Sequence, residues 1–179
     1  MGEDIILANA YQLLGKIDKA KEMYQVSMYQ SLISLVSVAS NYLLLQTESS
    51  AEFKITFKRI TTIIETYHME KFAFNGVAGF FLTAAHGFAF QQNKEQCLSA
   101  LEQYGKLVCD ISYPLKIHGD DYFNQVDGWI ENTLDLGSSA PRDEKTIRES
   151  FTLAIEGNPV FEQLRDDIRY INVMRKVGQ

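Results

Sequence analysis

The chain has 179 residues, of which 17 are lysine or arginine and 23 are aspartate or glutamate, so its formal net charge is −6. Nucleic acid is bound chiefly by cationic side chains that neutralise phosphates, so this charge argues against direct contact with DNA or RNA. A hydrophobic content of 46% beside 22% charged residues argues against intrinsic disorder. With 3 prolines and 11 glycines, the chain has few turn-forming residues for a β-rich protein.

Cysteine usage and the first residues of the chain bear on its compartment. Cys97 and Cys109 are too few for a disulfide scaffold, and they lie too far apart to be paired zinc ligands. No charged-then-apolar leader opens the sequence, and no apolar run reaches about 18 residues. We therefore expect a cytoplasmic protein with free thiols, no signal peptide and no membrane span.

Apolar residues recur at gaps of three and four along the first 110 residues, which is the helical period. Ser50 is a suitable N-cap within this region, and Asn93 separates two periodic segments. Sustained alternation of the kind that marks strands is absent from the sequence. The period predicts three helix pairs, which are 3–14 with 17–30, 31–46 with 50–69, and 73–92 with 94–110.

After Asp110 the helical spacing of apolar residues is interrupted by predicted loops. Pro114 lies in a predicted loop over 111–119, and a second loop is predicted over 136–142. Gly157 and Pro159 end one helix, because glycine terminates helices and proline disfavours helix in the residue before it. The predicted helices of this region are 120–135, 143–156 and 160–177.

Small and aromatic residues recur at matching places of the helix pairs. Ala20 and Cys97 lie on the second helices of the first and third pairs. A small side chain lets two helices approach closely while an aromatic ring fills the groove between them, and repeated helix pairs are typical of an α-solenoid. The motif on the first helices occurs three times, as Ala8-x-x-Tyr11, Ala39-x-x-Tyr42 and Ala85-x-x-Phe88.

The segment LANAYQLLGKIDKAKEMYQ (7–25) resembles a tetratricopeptide (TPR) unit. Its matching positions are Leu7, Ala8, Tyr11, Gly15, Ala20, Tyr24 and, just beyond it, Ser27. Segment 82–104 resembles a second unit, with Gln92 where the turn glycine is usual. We therefore expect an all-α, TPR-like α-α superhelix, a right-handed solenoid of about nine helices. Residues 1–110 would be its helix pairs and 111–179 an extension packed on the same solenoid.

A wider resemblance covers nearly the whole chain. LANAYQLLGK, YPLKIHGDDYF and NPVFEQLRDDIRY are similar to parts of the region that follows the DNA-binding domain in XRE-type helix-turn-helix regulators from Gram-positive bacteria. The resemblance implies a domain that senses a peptide or small-molecule effector, forms a homodimer, or does both. DNA would be contacted only through a helix-turn-helix domain that is missing here, and a helix starting as early as Ile5 agrees with that expectation.

A row of polar residues is the candidate ligand site. Asn9, Ser40 and His86 each directly follow the small residue of the repeated motif, so each lies about 100° around its helix from that residue. In TPR-like domains this position lines the concave groove, and Gln12 is nearby. Amide and imidazole groups there would hydrogen-bond a peptide backbone. The alternative is that all four are ordinary polar residues, either on helix surfaces or half-buried.

Three further features have two interpretations each. The sequence His118-Gly119-Asp120-Asp121 contains metal-ligand residue types, but divalent sites usually need three or more ligands, and aspartates also favour helix N-termini. Trp129 is either a core residue or the anchor of a dimer interface, where tryptophan is enriched. Glycines within a helix cost about 1 kcal/mol each against alanine, so they indicate close approach to a neighbouring helix or to a ligand. One predicted helix contains three of them, Gly76, Gly79 and Gly87.

Two functions therefore remain open from the sequence. One is the effector-sensing or dimerisation domain of a transcription regulator, and the other is a stand-alone TPR-like scaffold for protein interactions. We expect no enzyme, no cofactor and no metal, because no P-loop, GxGxxG, HExxH or Ser-His-Asp order is present.

Overall fold

The computed structural model describes residues 2–111, 117–133 and 144–178. This part of the chain is all-α, with no strand, as predicted. The arrangement of these helices does not establish the predicted right-handed solenoid. The α-helices are α1 (Gly2–Leu13), α2 (Ile17–Leu44), α3 (Ser50–Thr66), α4 (Phe74–Phe90), α5 (Lys94–Cys109), α6 (Asp127–Thr133), α7 (Glu144–Glu156) and α8 (Ile168–Val177). Two 3-10 helices span Met69–Lys71 and Pro159–Leu164.

The first half contains one continuous helix where two were predicted. Segments 17–30 and 31–46 form the single 28-residue helix α2, so the predicted break between them is wrong. α2 contains no proline, which would remove a backbone hydrogen bond, and no glycine, which would weaken the helix. Among the described residues, no helix, including the long α2, is both long enough and apolar enough to cross a membrane.

Two helical hairpins, α1–α2 and α4–α5, contain the repeated small residues in their interfaces. Ala8, Ala20 and Cys97 are buried there, so the paired helices approach closely as predicted. Gly15 has φ +70° in the first turn, and Gln92 has φ +55° in the second. Gln92 thus adopts the left-handed conformation that glycine usually supplies at this position of the unit.

The occurrence of the motif on the C-terminal half of α2, Ala39-x-x-Tyr42, packs differently. Ala39 on α2 is buried, but Tyr42 is 52% exposed and does not fill a helix–helix groove. The reason is that α2 carries its core residues on another face, where Val36 and Leu43 are almost fully buried.

Aromatic rings make up much of the core. Phe53 on α3 meets Phe88 on α4 edge to face, with ring centroids 4.8 Å apart. A Cβ on Gly87 would lie closer than 3.0 Å to the Phe53 ring, so the predicted close approach is confirmed there and the neighbour is a helix. Gly76 and Gly79 have open space around them, so close approach to a neighbouring helix is not found at these two glycines, and approach to a ligand stays a prediction.

The C-terminal part departs from the predicted helix boundaries in two places. The helix predicted over 120–135 begins only at Asp127, because the Asp120 carboxylate accepts backbone N–H groups of Tyr122 at 3.0 Å and Phe123 at 2.8 Å and closes a turn. The helix predicted over 160–177 is divided into the second 3-10 helix and α8. The predicted loops fall largely on 112–116 and 134–143, outside the described residues.

Helix α8 packs along α5 and is held there by charge as well as by apolar contact. Arg169 on α8 binds Glu95 and Glu102 on α5, each with a shortest N–O distance of 2.7 Å. Val173 lies against Gly105, which has no side chain to separate the two helices. This contact joins the C-terminal segment to the α4–α5 hairpin.

Candidate functional site

The predicted polar row is divided between separate places. Asn9 and Gln12 on α1 meet Tyr24 on α2, whose hydroxyl lies 2.6 Å from Asn9 Oδ1 and 3.0 Å from Gln12 Oε1. The hydroxyl has one proton, so it donates to one of the two amide oxygens at a time. The structure therefore brings these two predicted residues together, as an exposed polar cluster on the first hairpin.

Ser40 and His86 lie apart from that cluster. Ser40 comes 16 residues after Tyr24 on the same helix, which is about 24 Å along the helix axis. Its hydroxyl donates to the Val36 carbonyl at 3.0 Å. His86 is half-buried on α4. The role of the four residues in binding a ligand stays a prediction.

Trp129 is held within its own chain. It lies half-buried on α6, and its ring meets Tyr29 edge to face with centroids 6.4 Å apart. The Tyr29 ring in turn contacts Phe72 at 4.8 Å and Phe123 at 5.7 Å. The dimer role predicted for Trp129 stays a prediction, and the ring has a second property, since it lines a cavity.

This cavity lies between α2, the connection from α3 to α4, and the segment leading to α6. Its volume is about 410 Å³, and its lining includes Tyr29, Ile33, Phe72, Ile117 and Trp129. Small-molecule sites are typically concave and mostly apolar, with a few polar groups that fix orientation. We call this cavity together with its neighbour the aromatic cleft.

The neighbouring cavity of the aromatic cleft supplies its charged groups. It has a volume of about 610 Å³ and shares Ile33, Phe72 and Ile117 with the first. Its lining also includes two acidic residues, one lysine and one histidine, which are Glu70, Asp110, Lys71 and His118. The cleft thus combines an apolar, aromatic surface with charges of both signs.

Tyr29 is the most buried polar group of the cleft. Burial first, and the Asp127 carboxylate second, raise the pKa of its phenol to about 12. The hydroxyl donates to the Phe72 carbonyl at 3.4 Å. At neutral pH the phenol is therefore protonated, and it serves to fix the α3–α4 connection against α2.

The segment around His118 has a structural explanation. The Gly119 N–H donates to the Asp127 carboxylate at 2.6 Å, and Asp120 closes the following turn. A Cβ on Gly119 would overlap with the Phe123 carbonyl oxygen, so the turn requires glycine there. Across the described ranges, no group of three or more His, Cys, Asp or Glu residues is arranged to hold a metal ion.

An exposed apolar surface along α2 was not among the sequence-based predictions. We call it the α2 stripe, comprising Met28, Leu35, Val38 and Tyr42 on α2 and Leu45 at its C-cap, which are 40–83% exposed, with the exposed Ser31 between the first two. Successive members are separated by three or four residues once Ser31 is counted, so they share one face. The signal was present in the sequence, because residues 23–47 contain no charged side chain.

Comparisons of the chain with protein-family models, with curated proteins and with solved structures found no match.

Proposed function

We propose that this all-helical domain is the effector-sensing and dimerising part of a bacterial transcription regulator, acting on DNA only through a helix-turn-helix domain outside this chain. The aromatic cleft is the observation that supports the proposal most directly. Its size and its mixed apolar and charged lining suit a small amphipathic molecule or a short apolar peptide.

The elements that line the cleft suggest how a bound effector would act. A ligand there touches Ile33 on α2, Phe72 in the α3–α4 connection and Trp129 on α6. Helix α1 packs against the same continuous helix α2. A change in the position of α2 at the cleft would therefore move α1, the first helix of the chain. Such a shift requires that the effector bind one arrangement more tightly than the other.

Trp129 provides a direct assay, because it is the single tryptophan of the chain and lines the cleft. We would titrate the apolar anionic dye 1-anilinonaphthalene-8-sulfonate, followed by candidate peptides, and record tryptophan quenching. Ile33→Glu places a charge in both cavities and is expected to weaken binding at least tenfold. Ile168→Glu, at a 67% exposed position on α8, is the matched control.

Two results of this assay would contradict the proposal that the aromatic cleft binds the effector. One is equal binding by both variants, and the other is unchanged fluorescence of Trp129 while binding is detected by calorimetry. The polar row is tested in the same titrations with Asn9→Ala and His86→Ala. Loss of peptide binding in these variants, with Ile33→Glu unaffected, would move the effector site to the polar row.

A constitutive scaffold for protein interactions is the second candidate, and the α2 stripe favours it. A scaffold would hold its partner with the same affinity whether or not the cleft is occupied. Measuring partner affinity in the presence and absence of a cleft ligand therefore separates the two functions.

A further inference from the structure

We infer that the α2 stripe is a two-fold symmetric interface at which α2 of a second copy packs antiparallel to α2 of the first. This inference deepens the proposed function by assigning a surface to the homodimer, and it rests on that function only in expecting a homodimer. It does not depend on the aromatic cleft or on any effector.

The chemistry of the stripe selects an apolar protein partner. Residues 23–47 carry no charge, and the centres of protein interfaces are depleted of charged residues. Nucleic acids and anionic membrane surfaces attract lysine and arginine, which this segment lacks. In addition, each copy has a net charge of −6, so two copies repel each other except where a surface is free of charge.

The spacing of the stripe is self-complementary. In an antiparallel helix pair related by a two-fold axis, facing residues have numbers with a constant sum, since one helix runs up as the other runs down. One such register pairs Met28 with Leu45, Leu35 with Val38 and Ser31 with Tyr42 of the second copy. Every member of the stripe then faces another member. The smallest side chain also faces the largest, which suits close packing.

The area of the stripe matches what a stable dimer needs. Aromatic side chains bury on the order of 150–250 Å² each, and a value of about 180 Å², towards the lower end, suits the mostly aliphatic members of the stripe. With exposed fractions of 40–83%, the five apolar members together offer roughly 500 Å². A standard interface buries about 800 Å² on each partner, of which about 60% is apolar. The stripe thus accounts for the apolar part of such an interface, and flanking polar residues would supply the rest.

The helix that carries the stripe is rigidly supported from behind. Tyr29, Val36 and Leu43, on the opposite side of α2, are at most 1% exposed and belong to the core. The surface is therefore already formed in one copy, so little conformational entropy is lost when two copies meet.

Molecular mass is the first test. Light scattering on the full chain is expected to give twice the monomer mass of 20.4 kDa. Leu35→Glu combined with Val38→Glu places carboxylates against each other across the axis, and the mass is expected to fall to that of the monomer. Both positions are exposed, so folding should persist, which circular dichroism checks. Ile168→Glu is the control and should remain dimeric.

A monomeric wild type at high concentration would overturn the inference. A dimer that persists in the double variant would also overturn it, while leaving the proposed homodimer intact on another surface. Dye binding to the aromatic cleft is measured separately, so a failure of the effector site is distinguishable from a failure of this interface.

Cross-linking tests the antiparallel register itself, in a Cys109→Ser background that removes the exposed native thiol. Met28→Cys or Leu45→Cys alone should give no covalent dimer, because equivalent residues would lie 17 positions apart, or about 25 Å. The two substitutions together should cross-link under oxidation or with a short bismaleimide, since they face each other and disulfides need close Cα atoms. Cross-linking in either single variant, or none in the double variant, would refute the register.

Discussion

Gly87→Ala tests whether the α3–α4 contact is as tight as the structure indicates. Gly87 lies near the end of α4, and an added Cβ would overlap with the tip of the Phe53 ring. Phe53 is completely buried, and its ring is held edge to face by Phe88. Carbon atoms prefer separations of 3.5–4.0 Å, so the ring would have to retreat by about 1 Å into occupied space.

The expected effect is the difference between two opposing contributions. Alanine is better than glycine in a helix by about 1 kcal/mol. Overpacking a well-packed core costs about 1–3 kcal/mol, and a ring confined on its other side belongs near the upper end of that range. We therefore expect Gly87→Ala to lower the free energy of unfolding by about 2 kcal/mol and Tm by roughly 4–8 °C.

Gly79→Ala is the matched control, because Gly79 lies on the same helix with nothing within 4 Å of its added Cβ. Only the preference of alanine over glycine in a helix applies there, so the free energy of unfolding of this variant should rise by about 1 kcal/mol. Urea unfolding followed by circular dichroism measures the free energy of unfolding of both variants. If the two variants shift stability in the same direction, the close approach at Gly87 is refuted. Phe53→Leu in the Gly87→Ala background should recover part of the loss through a measurable coupling energy.

Two further predictions concern charged and reactive groups. Arg169→Gln removes the ion pairs to Glu95 and Glu102, and it should lower the free energy of unfolding at neutral pH by about 1 kcal/mol. Hydrogen bonding to Arg169 holds the pKa of Glu102 below its usual value of 4.5, so this stabilisation is present above that pH and is lost as pH falls below it. The difference in free energy of unfolding between wild type and Arg169→Gln should therefore become smaller as the pH is lowered. A difference that is independent of pH would contradict a stabilising ion pair between Arg169 and Glu102. Burial raises the pKa of Cys97 to about 12, whereas Cys109 is exposed, so Ellman's reagent should titrate one thiol in the folded protein and two in urea. Folded Cys109→Ser should not react, and a fast reaction there would show that Cys97 is accessible.

The helical period was sufficient to predict most of the fold. It located α1, α3, α4, α5 and α7, because each has apolar residues on one face and a recognisable turn or cap at an end. It did not predict the continuity of α2. Along that helix apolar residues occupy the exposed stripe as well as the buried face, so the sequence pattern resembled two helices with different orientations.

The candidate site was harder to predict than the helices. The aromatic cleft is assembled from Tyr29, Phe72 and Trp129, which are separated by tens of residues and belong to different elements. The helical period relates residues along one helix and does not predict contacts between residues of different elements. Asn9 and Gln12 were brought together as expected, because three residues of spacing place them on one helical face.

The continuity of α2 has a consequence for how the domain unfolds. In solenoids built from separate helix pairs, each unit contacts only its neighbours, and units at the ends can melt independently. Here one helix contributes its first half to the α1–α2 hairpin and its second half to the contacts with α3 and α4. Melting the first hairpin completely would therefore unravel a helix on which the next layer depends. The N-terminal half should lose structure in one concerted transition, without the stepwise fraying of a modular array.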